Sequence, residues 1–348
     1  MSKNSSFLGQ AVTYNADEGT LFHSAALGGS GHGHGGGGSG TAPPPTLVTS
    51  TGSHLEFNLI WDSSVANLGS NETAFMNAMI NSAKYYESLL TASTTEVINI
   101  KVGWGEINGQ SLSPGALGES ESNGYLTNYS TVTSHLAADG FTFNASNEPT
   151  SAQFFISSTE AKGFGLISPT STGIDGYIGF GTLSGTGYSW NFTSSATTGQ
   201  GSGTGALQFD FAGVAQHEIS EVMGRIEMEG HTIFNGQATY TPLDLFNFDS
   251  YNHLVLSGGD NGSTAITSYF STDNGQTPLG YFNDGYKSGD IADWASYSSY
   301  TQSGTGLSGG YQDAYDAFAY PGANTDLSYA DLYVDQSLGL TLTGALII

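Results

Sequence analysis

The segment Gln216-His217-Glu218-Ile219-Ser220-Glu221-Val222-Met223-Gly224-Arg225 places an imidazole and two carboxylates within little more than one helical turn. On a helix of roughly 100° per residue, His217 and Glu221 fall roughly 40° apart, with Glu218 beside them. Ile219, Val222, Met223 and Ile226 share an apolar arc. Side chains at i and i+4 meet, so one face presents nitrogen and oxygen donors together. In the motif His-Glu-x-x-His, two histidines one turn apart hold Zn²⁺ and the glutamate activates water. Here Glu221 stands at the second histidine's place, and a carboxylate oxygen is an acceptable though less characteristic zinc ligand. Gly224 and Glu227 fall where the longer motif has its glycine and its third histidine. A plainer reading stands beside this one, because Glu221 and Arg225 also form an i, i+4 ion pair in the favourable order.

Composition limits the partners. The 348 residues carry 31 Asp plus Glu against six Lys plus Arg, a net charge of −25. Such a surface repels nucleic-acid phosphates and anionic membranes, so neither is an expected partner. There are no cysteines, so a zinc site has to be built from His and carboxylates. The first twenty residues contain no apolar run of signal-peptide length, and no stretch reaches the ~18 apolar residues of a membrane helix. The Gly/Asn/Ser/Thr-rich, Lys/Arg-poor composition suits a secreted, extracellular bacterial protein without a cleavable N-terminal signal. The terminal Leu340–Ile348 run reads either as a C-terminal export signal of the type I kind or as a last core strand.

Elements follow from periodicity. Residues 1–45 are an N-terminal extension with a strand-like patch, Gln10–Tyr14, and a Gly/His/Pro-rich linker holding His32 and His34. Residues 46–248 read as the main domain. Strands are expected at 54–61, 97–104, 176–180 and 207–211. A long helix capped by Asn71 should run to about Leu90, with shorter helices at 131–138 and 159–165 before the His217 helix. Residues 249–348 read as a Gly/Ser/Tyr/Asp-rich subdomain with a late helix near 326–335. Its acidic residues, Asp284, Asp290, Asp293, Asp313, Asp316, Asp326, Asp331 and Asp335, suit either Ca²⁺ or solvated loops. The nineteen tyrosines suit a sticky surface for carbohydrate or for self-assembly.

The segments VGWGEINGQSLSPGALGES (102–120), STEAKGFGL (158–166), IDGYIGF (174–180), AGVAQHEISEVMGRI (212–226) and TPLDLFNF (241–248) resemble a bacterial family of secreted, Gly-rich zinc metalloproteases. The resemblance spans most of residues 50–340. It implies an α+β, zincin-like fold with a twisted mixed sheet, a long helix and an active-site-type helix, and a peptide or protein substrate. Carried over by position, His217 is the first metal ligand, Glu218 the general base and Glu221 the second ligand. The chain departs from the pattern at Glu221 and Glu227, and Met228 is its last methionine, so no later methionine turn can underlie the metal. The third ligand is then Glu227, His231 or Asp244, with Arg225 and Asp244 as residues behind the ligands. Arg225 would either orient Glu221 or, without a metal, neutralise Glu221, Glu218 or Glu229. The alternative function is structural: a filament, surface-layer or matrix subunit on a degenerate zincin fold, assembling when strand Gln10–Tyr14 adds to a neighbour's sheet edge.

Overall fold

The computed structural model describes residues 10–15, 20–22, 40–195, 199–234, 236–257, 267–283, 289–295 and 311–343. His32, His34, Asp284 and the last five residues lie outside these. The strands of the first two-thirds are β1 (Ala11–Asn15), β2 (Thr20–Phe22), β3 (Thr46–Val48), β4 (Leu55–Trp61), β5 (Leu90–Thr91), β6 (Glu96–Trp104), β7 (Gly118–Asn128), β8 (Gln153–Ser157), β9 (Gly176–Phe180), β10 (Ser189–Asn191), β11 (Gln208–Asp210), β12 (His231–Phe234) and β13 (Gln237–Tyr240). The helices are α1 (Glu72–Leu89), α2 (Tyr129–Ala138), α3 (Ser158–Gly163), α4 (Phe211–Met223) and α5 (Tyr329–Ser337). The protein is α+β, built on a mixed sheet connected in the order β12-β13-β8-β7-β9-β6-β4-β3.

Strand β4 alternates buried and half-buried residues along its whole length, the mark of a sheet with one face on the core. It pairs in parallel with β6, and β6 pairs in parallel with β9. Helix α1 buries Phe75, Met79, Ala83 and Tyr86 on one stripe, the spacing of a single helical face. Asn71 holds its expected cap position but makes no side-chain cap bond. It closes a 3₁₀ run, Ser63–Asn71, whose own cap is Asp62.

The strand that matters most was absent from the sequence reading. Strand β7 runs antiparallel to three partners: Gly118–Ser122 face β9, Gly124–Asn128 face β8, and Glu121–Tyr125 face β1. The N-terminal strand thus adds to a sheet of its own chain. Val12 and Tyr14 anchor it in a small apolar cluster with Leu126, Phe155, Ile226 and Met228.

The C-terminal third packs against the rest of the chain. One apolar cluster runs from Val48 through Phe270, Trp294 and Tyr315 to Leu340. Its pieces are a three-stranded sheet (247–249, 268–270, 280–281), a parallel pair (311–313 with 324–326), and Thr341–Leu342 paired with β5. Within the described part of the C-terminal run, Thr341–Leu342 form a strand. No helix among the described residues is long and apolar enough to cross a membrane.

Candidate metal centre

Helix α4 carries the site, and its ends are fixed from sequence. Asp210 accepts a hydrogen bond from the Ala212 N–H at 3.2 Å, an N-cap. Gly224 ends the helix with φ of 126°, a backbone conformation that a side chain would strain. This stop moves everything after Met223 off the helical register. Arg225 is therefore not one turn beyond Glu221, and Ile226 leaves the helix to pack under β1.

Within α4 the expected face is formed. His217 Nδ1 lies 2.9 Å from the Ala314 carbonyl oxygen. That acceptor requires the proton on Nδ1, which leaves the Nε2 lone pair of a neutral ring free to bind. Nε2 lies 3.5 Å from Glu221 Oε1 and 3.3 Å from Asp293 Oδ1. The other oxygen of Glu221 accepts from Ser120 Oγ at 2.6 Å, and Ser122 Oγ donates to the Glu221 carbonyl at 2.9 Å. Ser120 thus aims the carboxylate, while Ser122 ties the Glu221 backbone to β7. Glu218, 3% exposed, lies against the start of the same strand, where a Cβ at Gly118 would collide with its carboxylate.

Glu221 lies behind His217, and His217, Glu218 and Asp293 line a cleft of about 490 Å³ together with Asp290, Asp316, Leu183, Tyr188, Phe209 and Phe318. Its electrostatics are lopsided. Burial opposes charge on His217, yet Asp293 and then Glu221 outweigh it and hold the imidazole well above its ordinary value. Burial likewise opposes charge on Glu221, but His217, Ser120 and Glu218 hold it below the usual carboxylate range. Asp290 is pushed well up by burial, then by Glu221 and Asp293. Asp293 is raised by burial and by Glu221, against the pull of His217. Crowded carboxylates of this kind gain when a cation joins them.

The donor set fits a metal. Among the described residues, His217, Glu221 and Asp293 form the group whose ligand atoms all lie within 4.8 Å of one another. Metal bonds of about 2.1 Å at tetrahedral angles place ligand atoms roughly 3.4 Å apart. The two separations from Nε2, 3.5 and 3.3 Å, meet that spacing. One imidazole and two carboxylates match zinc, and three protein ligands leave a fourth position for water or substrate.

The structure corrects the remaining assignments. Glu227 and Glu229 lie beside Asn247, whose amide donates to both at 3.4 and 3.3 Å, and His231 stands on β12. None of them joins the group at His217. Asp244 is a clasp rather than part of the site. It accepts from the backbone N–H of Glu229 at 2.9 Å and of Thr241 at 2.6 Å, and burial raises its pKa to about 6. Arg225, 1% exposed, neutralises Asp331 at 2.7 Å and none of the glutamates expected for it. The acidic residues proposed for Ca²⁺ disperse to separate partners: Asp326 to Gln200, Asp331 to Arg225, and Asp335 to Ser220 at 3.2 Å. Among the described residues, Asp293 belongs to the metal group, and Asp290 and Asp316 line the cleft beside it.

No family profile, no curated protein and no solved structure matches this chain.

Proposed function

We propose that the protein is an extracellular zinc-dependent metallopeptidase with a zincin-like arrangement and an unusual ligand set, His217, Glu221 and Asp293. The carrying observation is the convergence of these three donors, with His217 and Asp293 opening beside Glu218 into one cleft. A zinc ion held by these three residues would supply Lewis-acid polarisation of a carbonyl and acidify water. The chain's own residues do the rest. Glu218 takes a proton from the attacking water and returns it to the leaving amine. The Ala314 carbonyl holds the His217 tautomer, and Ser120 holds the Glu221 rotamer. The order of elements, with a strand, a long helix and further strands before α4, supports the zincin comparison. The composition supports secretion.

The test is elemental analysis of the full-length protein after zinc reconstitution, followed by hydrolysis of unfolded protein substrates with and without chelator. About one zinc per chain and chelator-sensitive cleavage are expected. Absence of zinc would remove the reading.

A structural role is the second reading, favoured by the β1–β7 pairing. The five residue pairs that β1 makes within its chain are a register that a strand from another copy could take. Sedimentation of full-length protein at high concentration decides this, since a strict monomer argues against it.

A further inference from the structure

The third donor, Asp293, is carried by a short segment far in sequence from α4, so something must hold the two together. Arg225 stands immediately past the end of α4 and is the only arginine in the chain. Its Nε donates to the Ala292 carbonyl at 3.3 Å, the residue before Asp293. Its Nη1 donates to Asp331 Oδ1 at 2.7 Å. The same oxygen accepts the indole N–H of Trp294, the residue after Asp293, at 2.7 Å. The guanidinium lies 4.4 Å from the Trp294 ring centre and 3.5 Å from that of Tyr315. Tyr315 in turn stacks on His217, with ring centres 4.9 Å apart, and its hydroxyl donates to the His217 carbonyl at 3.1 Å.

We infer that Arg225 is the positioning residue of the metal centre: by gripping both neighbours of Asp293 and the Tyr315 ring beneath His217, it sets the spacing between first and third ligands. This rests on the metal site proposed above. The planar guanidinium is the only side chain that can donate along two directions while stacking on aromatic faces. Burial makes the grip stiff, because solvent offers no competing partner for the arm that reaches Asp331. Asp331 also joins the capping box of α5 through Ser328, so the tie extends from α4 through the 292–294 segment to α5. The backbone N–H of Trp294 donates to the Tyr315 carbonyl at 2.7 Å, which joins the two aromatic arms to each other.

The experiment compares full-length parent, Arg225→Lys and Trp294→Phe. Zinc affinity is read by competition with a chromophoric chelator, ligand geometry by the visible absorption of the Co²⁺-substituted proteins, and fold by thermal unfolding. Arg225→Lys keeps the charge but cannot bond Ala292 and Asp331 together. It should bind zinc about 10- to 100-fold more weakly and show an altered Co²⁺ spectrum. Trp294→Phe keeps an aromatic ring, loses the indole N–H and removes some buried ring volume. It should fold, bind zinc with a smaller deficit, and shift the spectrum in the same direction, and it decides the matter if Arg225→Lys does not fold. Variants with lowered melting temperature but parental zinc affinity and Co²⁺ spectrum would overturn the inference, leaving Arg225 a core ion. A parent that binds no zinc overturns the metal site itself, and the inference falls with it.

Discussion

Ser120 Oγ donates a 2.6 Å hydrogen bond to Glu221 Oε2 and so leaves Oε1 facing His217 Nε2 at 3.5 Å. A carboxylate standing in for a histidine has two equivalent oxygens and a free rotor, and the serine removes that freedom. Ser120→Ala should therefore weaken zinc binding by about 10-fold, the usual effect of losing an outer partner of a ligand, with little change in melting temperature. Equal affinity of parent and variant by chelator competition would show that Glu221 needs no such guide.

Asp293 is the assignment on which the ligand set turns. Asp293→Asn should reduce bound zinc to a small fraction of the parent after dialysis. Glu227→Gln and His231→Ala should leave zinc content unchanged, since neither reaches His217. A zinc content lowered by either of those two, and not by Asp293→Asn, would restore the ligand set expected from motif spacing.

Glu218→Gln separates the chemistry from the metal. The amide preserves size and its place against Gly118 but cannot accept a proton. Zinc content and unfolding temperature should match the parent, while kcat/KM should fall by about 10²- to 10⁴-fold. Retained hydrolysis would remove the general-base role.

How much of this was legible in the sequence depended on distance along the chain. Helix α4 and the pairing of His217 with Glu221 follow from local periodicity, as do β4, α1 and β6. Strand β7 did not, because the sequence GESESNGYLTN is polar where a buried strand is normally apolar. Its Glu119, Ser120, Glu121 and Ser122 are nonetheless buried, and two of those serines serve Glu221. Asp293 was visible only as one of many acidic residues, since no spacing rule links it to a helix that ends at Met223. The misplacement of Arg225 has a single cause. The helical register was carried past Gly224 to pair Arg225 with Glu221, whereas the positive φ of Gly224 ends the helix there.

Away from the metal, the scarcity of cations predicts the direction of pH dependence. Glu96 and Glu160 are each 2% exposed. Burial raises both to about 8 from an ordinary 4.5; Lys162 opposes the shift at Glu96, and hydrogen bonds from Ser157 oppose it at Glu160. Asp335 is raised to about 7, again by burial first. A carboxyl with a raised folded-state pKa keeps its proton where the unfolded chain has lost it. Its contribution is then fully present below the unfolded value and is lost as pH rises through the folded one. For Glu96 and Glu160 the window is 4.5 to 8, with a ceiling of about 1.4 kcal/mol per pH unit for each group. Chelator-treated protein should be more stable to urea at pH 5 than at pH 8. Metal must be removed for this measurement, because binding it releases protons and gives the opposite slope. Glu160→Gln still offers an oxygen to the Ser157 N–H of the capping box, and it should flatten part of the slope between those values. Parent and variant curves that run parallel from pH 5 to 8 would mean that Glu160 is ionised in the folded protein throughout.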